Sequence, residues 1–163
     1  MSSLYSPDQT FGCIPMELAM SLPGREIFRK MMAGEIDPPP IYRKMNLKMT
    51  AAEDGLTRHV GRPDESDYNP ISTVHGGWIG TILDAAMASC IHTLLPVGMG
   101  FTTLEYKVNL VRPLTVKTGG VTCEGRVIHF GRTTATSEAR LSDASGKLLA
   151  HGVETCSIFS IKS

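Results

Sequence analysis

The sequence has 163 residues and a mass of 17.6 kDa, the size of one ordinary domain. Hydrophobic residues make up 42% and charged residues 20%, enough for a packed core and too apolar for wholesale disorder. Lys plus Arg and Asp plus Glu number 16 each, so the formal charge is zero, which argues against a nucleic-acid partner and its basic face.

Residues 16–32 carry Met16, Leu18, Met20, Ile27, Phe28, Met31 and Met32 among charged neighbours at roughly helical spacing. Pro23-Gly24 divides this stretch into two short helices, and Asp37-Pro38-Pro39-Pro40 reads as a stiff linker. Residues 1–40 are thus expected to form a helical arm, followed by a main domain over residues 41–163. In that domain, residues 42–51 and 56–60 flank Glu53-Asp54-Gly55 as a predicted hairpin. Residues 75–95 form the long helical candidate, apolar nearly all round and closed by Pro96 and Gly98. Strands follow over residues 103–110, 116–129, 133–141 and 147–158, with a tight turn at Gly131 and another at Asp143-Ala144-Ser145-Gly146. Along the first of these, Leu104, Tyr106, Val108 and Leu110 alternate with Thr103, Glu105, Lys107 and Asn109. No βαβ crossover is evident, so the expected class is α+β, an antiparallel sheet wrapped around one long central helix.

No apolar run attains the roughly 18 residues of a membrane span. Residues 1–10 lack the pattern of a secretory leader, and Cys13, Cys90, Cys123 and Cys156 form no CxxC pair. A cytoplasmic protein with reduced thiols, and no membrane partner, is the expectation.

A charge census singles out one residue. Across the 37 residues from Tyr68 to Leu104, Asp84 is the only Asp, Glu, Lys or Arg. A carboxylate on an apolar helix needs a partner or a raised pKa, and such acids mark candidate functional sites. At the start of the same helix stands His75-Gly76-Gly77. A helix N-terminus offers unpaired N–H groups and a positive partial charge, and glycines let a ligand carbonyl approach them, as in an oxyanion hole. Gly76 and Asp84 are eight residues apart, about 12 Å along a helix, whereas a reacting carbon must lie about 3 Å from both groups. One helix cannot satisfy both conditions. Two helices related by a two-fold axis can, so a catalytic role for this pair implies at least a homodimer, either alone or within a dimer of dimers.

Asn69 with Val74-His75-Gly76-Gly77, followed by Thr81-Ile82-Leu83-Asp84-Ala85-Ala86, resembles the signature of hotdog-fold acyl-CoA thioesterases of the phenylacetate-degradation type. The stretches at Thr103-Leu104-Glu105, Val108-Asn109 through Arg112-Pro113, and His129-Phe130-Gly131-Arg132-Thr133 are similar to that family too, as is Gly146-Lys147-Leu148-Leu149-Ala150. The resemblance spans residues 41–158. It implies that the Gly76 N–H polarises a thioester carbonyl while His75 shapes the turn. It further implies that Asp84 of the partner chain serves as general base or nucleophile. Asn69 would place the carbonyl or the water, and Thr103 would support Asp84 or the water. Phe130, Gly131, Arg132 and Thr133 would touch the nucleotide and pantetheine arm of CoA. The implied activity is hydrolysis of acyl-CoA to free acid and CoA, with CoA entering as part of the substrate and no separate cofactor.

Two alternatives use the same fold. A non-catalytic acyl-CoA-binding module would need the Gly76 turn but no buried acid. A hydratase or dehydratase would need a His and an acid placed on the acyl chain, which His75 and Asp84 fit poorly. No G-x-S-x-G or H-E-x-x-H motif is present. His59, His129 and His151 fall on predicted strands without ligand spacing, so no metal site is expected. His92 reads as a core or interface residue, and Trp78 and Phe101 as packing groups beside a possible acyl tunnel.

Overall fold

The computed structural model describes residues 3–161. Three short helices lead the chain: α1 (Met16–Ser21), α2 (Gly24–Met32) and α3 (Pro40–Lys44). Strands β1 (Leu47–Glu53) and β2 (Leu56–Gly61) precede the long helix α4 (Gly76–His92). Four strands complete the chain, β3 (Met99–Leu110), β4 (Val121–Phe130), β5 (Thr134–Asp143) and β6 (Leu148–Ser160). All six strands form one sheet in the order β1-β2-β4-β5-β6-β3, with every pairing antiparallel. The sheet curls around α4, which packs against all six strands. This is the expected architecture.

Two local expectations change. The strand predicted from residue 42 begins only at Leu47, because Pro40 starts a helix instead of extending a linker. Proline suits the first helical position, where its missing N–H loses no bond and its φ is already set. Asn46, at φ 47°, then turns the chain into β1. Likewise residues 116–118 form a single 3-10 turn closed by Gly119 at φ 77°, so β4 starts at Val121.

The core explains why α4 is so apolar. Trp78, Ile79, Ile82, Leu83, Ala86, Met87, Cys90 and Ile91 are buried against the sheet, and the Trp78 indole donates to the Met45 carbonyl at 3.0 Å. Sheet and helix meet backbone to backbone at Gly125 of β4, where a Cβ would lie 2.2 Å from the Ala86 carbonyl oxygen. That carbonyl also accepts from the buried Thr57 hydroxyl at 2.9 Å. The arm docks at the other end of the helix. The Gly24 N–H donates to the Leu95 carbonyl at 3.1 Å, and a Cβ on Gly24 would lie 1.8 Å from the His92 carbonyl oxygen. His92 packs between Phe28 and Phe101, at ring separations of 4.9 and 5.3 Å, and burial lowers its pKa to about 4.

Beyond this covered side, α4 has a half-buried strip formed by Thr81, Asp84, Ala85 and Ala88. Strand β3 at the sheet edge borders the helix. Leu110 approaches Gly76, Tyr106 approaches Gly80, and Phe101 meets His92, so β3 runs antiparallel to α4. Its apolar residues remain open, with Leu104 63%, Tyr106 48% and Leu110 57% exposed.

Substitution Gly125→Ala drives a methyl group into the backbone of α4, a contact no rotamer change relieves. It should destabilise the fold by about 1–3 kcal/mol, the usual cost of core overpacking, measured as a lower urea midpoint at unchanged slope.

Candidate functional site

The start of α4 is organised by two side chains. His75 is the N-cap residue, and its Nδ1 accepts from the Gly77 N–H at 2.8 Å. That bond requires Nδ1 to be free of its proton, which then sits on Nε2 in the neutral ring. With Gly77 capped and Trp78 and Ile79 bonded to the His75 carbonyl, the Gly76 N–H has no partner among the described residues. Asn69 builds the preceding loop. Its Oδ1 accepts from the N–H groups of Ile71 and Thr73 at 3.0 and 3.2 Å, and its amide donates to the Thr73 hydroxyl at 2.8 Å. Asn69, Thr73, Gly76, Ile79, Leu110 and Arg112 border a pocket of about 230 Å³. Asn69 and Gly76 therefore meet at one open site, where a carbonyl oxygen could reach an uncapped helix N–H.

Asp84 lies two turns further along, on the half-buried strip. No hydrogen bond or ion pair reaches its carboxylate among the described residues. Burial raises its pKa. Its carboxylate is eight residues from Gly76, so a single chain keeps the polarising N–H and the acid about 12 Å apart.

Thr103 faces the helix for a reason that strict alternation conceals. The pairing of β3 with β6 shifts register between Thr103 and Glu105, a β-bulge at Leu104. One extra residue reverses the side-chain phase. Thr103 opposite Cys156 and Tyr106 opposite Glu154 consequently share the inner face, correcting the sequence expectation that Thr103 opposes Tyr106. The Thr103 hydroxyl donates to Glu154 Oε1 at 2.7 Å.

Sequence reasoning missed Glu154. It is 2% exposed, and Oε1 also accepts from the Cys156 thiol at 3.1 Å, while the buried Oε2 has no partner. Burial pushes its pKa up to about 7; the Thr103 and Cys156 bonds oppose that rise and the charge of Asp84 adds to it. The signal was available, because Ala150, Gly152, Glu154, Cys156 and Ile158 form the inner row of β6 and Glu154 is its one charge.

The turn from Phe130 to Thr133 lies at the opposite end of the sheet from Gly76. Phe130 packs near Cys156 and Ile158, Gly131 bonds Thr134, and Arg132 and Thr133 are exposed. Thr134 is paired through Ser157 to Thr102, eight residues or about 26 Å along β3 from Leu110. One chain thus brings together Asn69, His75 and Gly76, and separately Thr103 with Glu154, but leaves the 130–133 turn remote from the pocket.

Among the remaining histidines, His59 has a structural role. His59 is fully buried and bonds the Tyr42 hydroxyl at 2.7 Å, with its pKa lowered to about 3 by burial. His129 and His151 lie on β4 and β6. Among the described residues no group of three or more His, Cys, Asp or Glu is placed to hold a metal ion, and no helix is long and apolar enough to cross a membrane.

An antiparallel sheet wrapped around one apolar helix is the hotdog fold. Residues 72–150 match the family model described as the thioesterase superfamily, a segment spanning α4 through the start of β6. A phenylacetic acid degradation-related protein of Ralstonia eutropha JMP134, itself provisionally assigned as a thioesterase, superposes with a TM-score of 0.73 at 26% identity, covering 80% of this chain and 98% of that one. A conserved protein of Pseudomonas aeruginosa gives 0.69 at 25% identity, with coverages of 74% and 94%. A hypothetical thioesterase of Streptococcus pneumoniae TIGR4, solved with coenzyme A, shares the fold with a TM-score of 0.64 at 20% identity and coverages of 72% and 88%. No curated protein matches the chain. The family resemblance read from the sequence is thus shared by the family model and by solved structures.

His75→Ala removes the side-chain cap of α4 and should cost about 1 kcal/mol of stability. His75→Asn, which retains an N-cap acceptor, should recover most of that loss in denaturant unfolding.

Proposed function

We propose that this protein hydrolyses acyl-CoA thioesters to the free acid and CoA at sites shared between two copies of the chain. The carrying observation is Asp84, a half-buried carboxylate with no hydrogen-bond or ion-pair partner among the described residues, on the open strip of the helix that presents the Gly76 N–H. A second α4 packed antiparallel on this strip would bring each Asp84 to the other copy's Gly76. The exposed apolar edge of β3, with Leu104, Tyr106 and Leu110, supports such an association, since an unpaired 12-residue edge invites another strand. A homodimer would supply the contact, alone or within a dimer of dimers.

In the proposed reaction the thioester carbonyl oxygen accepts the Gly76 N–H, with Asn69 holding the loop that frames the pocket. Asp84 takes a proton from water, whose oxygen attacks the carbonyl carbon. The negative charge that collects on the carbonyl oxygen is stabilised by the helix N-terminus. The tetrahedral intermediate collapses by breaking the C–S bond, and CoA leaves as a thiolate. Because a thiol has a pKa of about 8.5, departure needs no strong general acid. One carboxylate and one N–H are sufficient for this chemistry.

The match of residues 72–150 to the thioesterase-superfamily model and the CoA in the Streptococcus pneumoniae structure support the substrate class. The exposed turn at Arg132 and Thr133 is the proposed contact for CoA, reached from the second copy. The unpaired thiols suit a reducing cytoplasmic setting.

Thiol release from a panel of acyl-CoAs, from benzoyl and phenylacetyl to palmitoyl, tests the proposal. Asp84→Asn should lower kcat/KM at least about a hundredfold while preserving the fold, as loss of a general base does. Wild-type turnover in that variant would overturn the assignment. Since burial raises the Asp84 pKa, its ionised form is lost at a higher pH than for an ordinary carboxylate. Activity should accordingly rise with pH along an acid limb displaced above the usual range near 4. Mixed Asp84→Asn and Asn69→Ala chains should regain activity if the site is shared; no rescue despite demonstrated subunit exchange would exclude sharing.

A further inference from the structure

The inner face of β6 holds a second carboxyl group in the row that faces Asp84: with Leu110 against Gly76, Tyr106 against Gly80 and Phe101 against His92, the antiparallel run of β3 along α4 sets Thr103 level with Asp84, and Thr103 bonds Glu154. Glu154 is held by two donors on Oε1 and is almost completely enclosed, yet Oε2 is buried without a partner. A buried polar atom left unpaired is costly, so a role that engages it is worth seeking.

The surroundings of Glu154 are short of positive charge. From α4 it faces Asp84 and the Cys90 thiol; from β3, Thr103 and Tyr106; from β5, Ser137; and along its own strand, Cys156. Glu105 and Lys107 pair with Thr155 and Val153 and so belong to the opposite face. With no Lys or Arg on the inner face among the described residues, two neighbouring carboxylates cannot both ionise cheaply. Asp84 retains partial access to water, whereas Glu154 does not, so the proton of the pair resides on Glu154 and the charge on Asp84. Oε1 already accepts two hydrogen bonds. The proton consequently belongs on Oε2, where it can be donated.

We propose that Glu154 is a positioning residue for Asp84: anchored through Oε1 by Thr103 and Cys156, it donates from Oε2 to the Asp84 carboxylate, directly or through one water. This inference rests on the thioesterase reading of Asp84. The bond would orient the base without neutralising it, and Thr103 would act through Glu154 instead of touching the reacting atoms. Ionisation of Glu154 removes the donor and sets a second negative charge near the first. The pair is then a coupled acid system, and its titration belongs to both residues.

Infrared difference spectroscopy of the full-length protein without substrate tests the pair. A protonated-carboxyl band should titrate near pH 7 and vanish in Glu154→Gln. In Asp84→Asn, which retains Glu154, the midpoint should fall because the neighbouring charge is gone. An unchanged midpoint would overturn the inference. In kinetics, Glu154→Gln supplies an amide N–H in place of the acid. The wild type should lose rate above pH 7 as Glu154 ionises; Glu154→Gln should retain kcat within about threefold at pH 6 without that decline, while Glu154→Ala should lose about tenfold in kcat with little change in KM. Wild-type kcat in a folded Glu154→Ala protein would also overturn it; if that variant does not fold, the Asp84→Asn spectrum decides. Absence of thioester turnover by the wild type would remove the catalytic reading, and with it the positioning role, whereas the infrared midpoint reports separately on whether the two carboxyls share a proton.

Discussion

The contact of the Ala86 carbonyl with Gly125 governs the rest of the molecule. At that point α4 lies so close to β4 that no side chain fits between them, and the Thr57 hydroxyl fastens the same carbonyl from β2. A helix seated this deeply must be apolar on its covered side, which accounts for the run from Trp78 to Ile91. It also fixes the rotation of the helix. With Ile82, Leu83, Ala86 and Met87 turned inward, Asp84 has only the open strip left to occupy. The position of the acid is therefore set by packing on the far side of the helix.

The same seat limits what one chain can do. A rigid helix separates its first N–H groups from its middle by a fixed rise, and no local flexibility brings Gly76 and Asp84 to one carbon atom. His75 reinforces this rigidity by capping Gly77, and the Gly76 N–H beside the pocket has no partner among the described residues. Under the proposed function, the fold supplies two half-sites per chain, and association converts them into whole ones. An exposed edge strand beside a half-buried helical strip is the surface such an association would use.

Much of this was legible in the sequence, for identifiable reasons. The apolar stretch around Asp84 read as a buried helix, and the strands after it, with no βαβ crossover among them, left an antiparallel sheet as its cover. Proline was misread where it began a helix at Pro40, because Pro38-Pro39-Pro40 breaks structure on one side and initiates it on the other. The inner placement of Thr103 was illegible because a bulge changes parity without any marker residue; Leu104 is an ordinary strand former. Glu154 was legible in principle, as the one charge in an inner row of small and apolar residues. What obscured it is the outer row of the same strand, where Val153 and Phe159 stand among polar residues and blur the alternation that would mark an inward face.

A lone acid on an apolar helix faces opposing demands. Burial strengthens a base by stripping its water, yet raises its pKa and so depletes the ionised form at neutral pH. A cation placed beside Asp84 would restore ionisation but would also weaken its pull on a proton. A neutral hydrogen-bond donor makes the same trade in a smaller step and adds orientation, since it stabilises charge through a dipole and leaves the net charge of the site unchanged. Thr103 cannot fill this role directly while its hydroxyl is given to Glu154. Glu154 can, provided it keeps its proton, and the enclosure that leaves Oε2 unpaired is also what favours the neutral form. The bulge at Leu104 acquires a purpose in this arrangement: without it Thr103 would face outward, Glu154 would lose one of its two anchors, and the acid behind the base would be free to rotate.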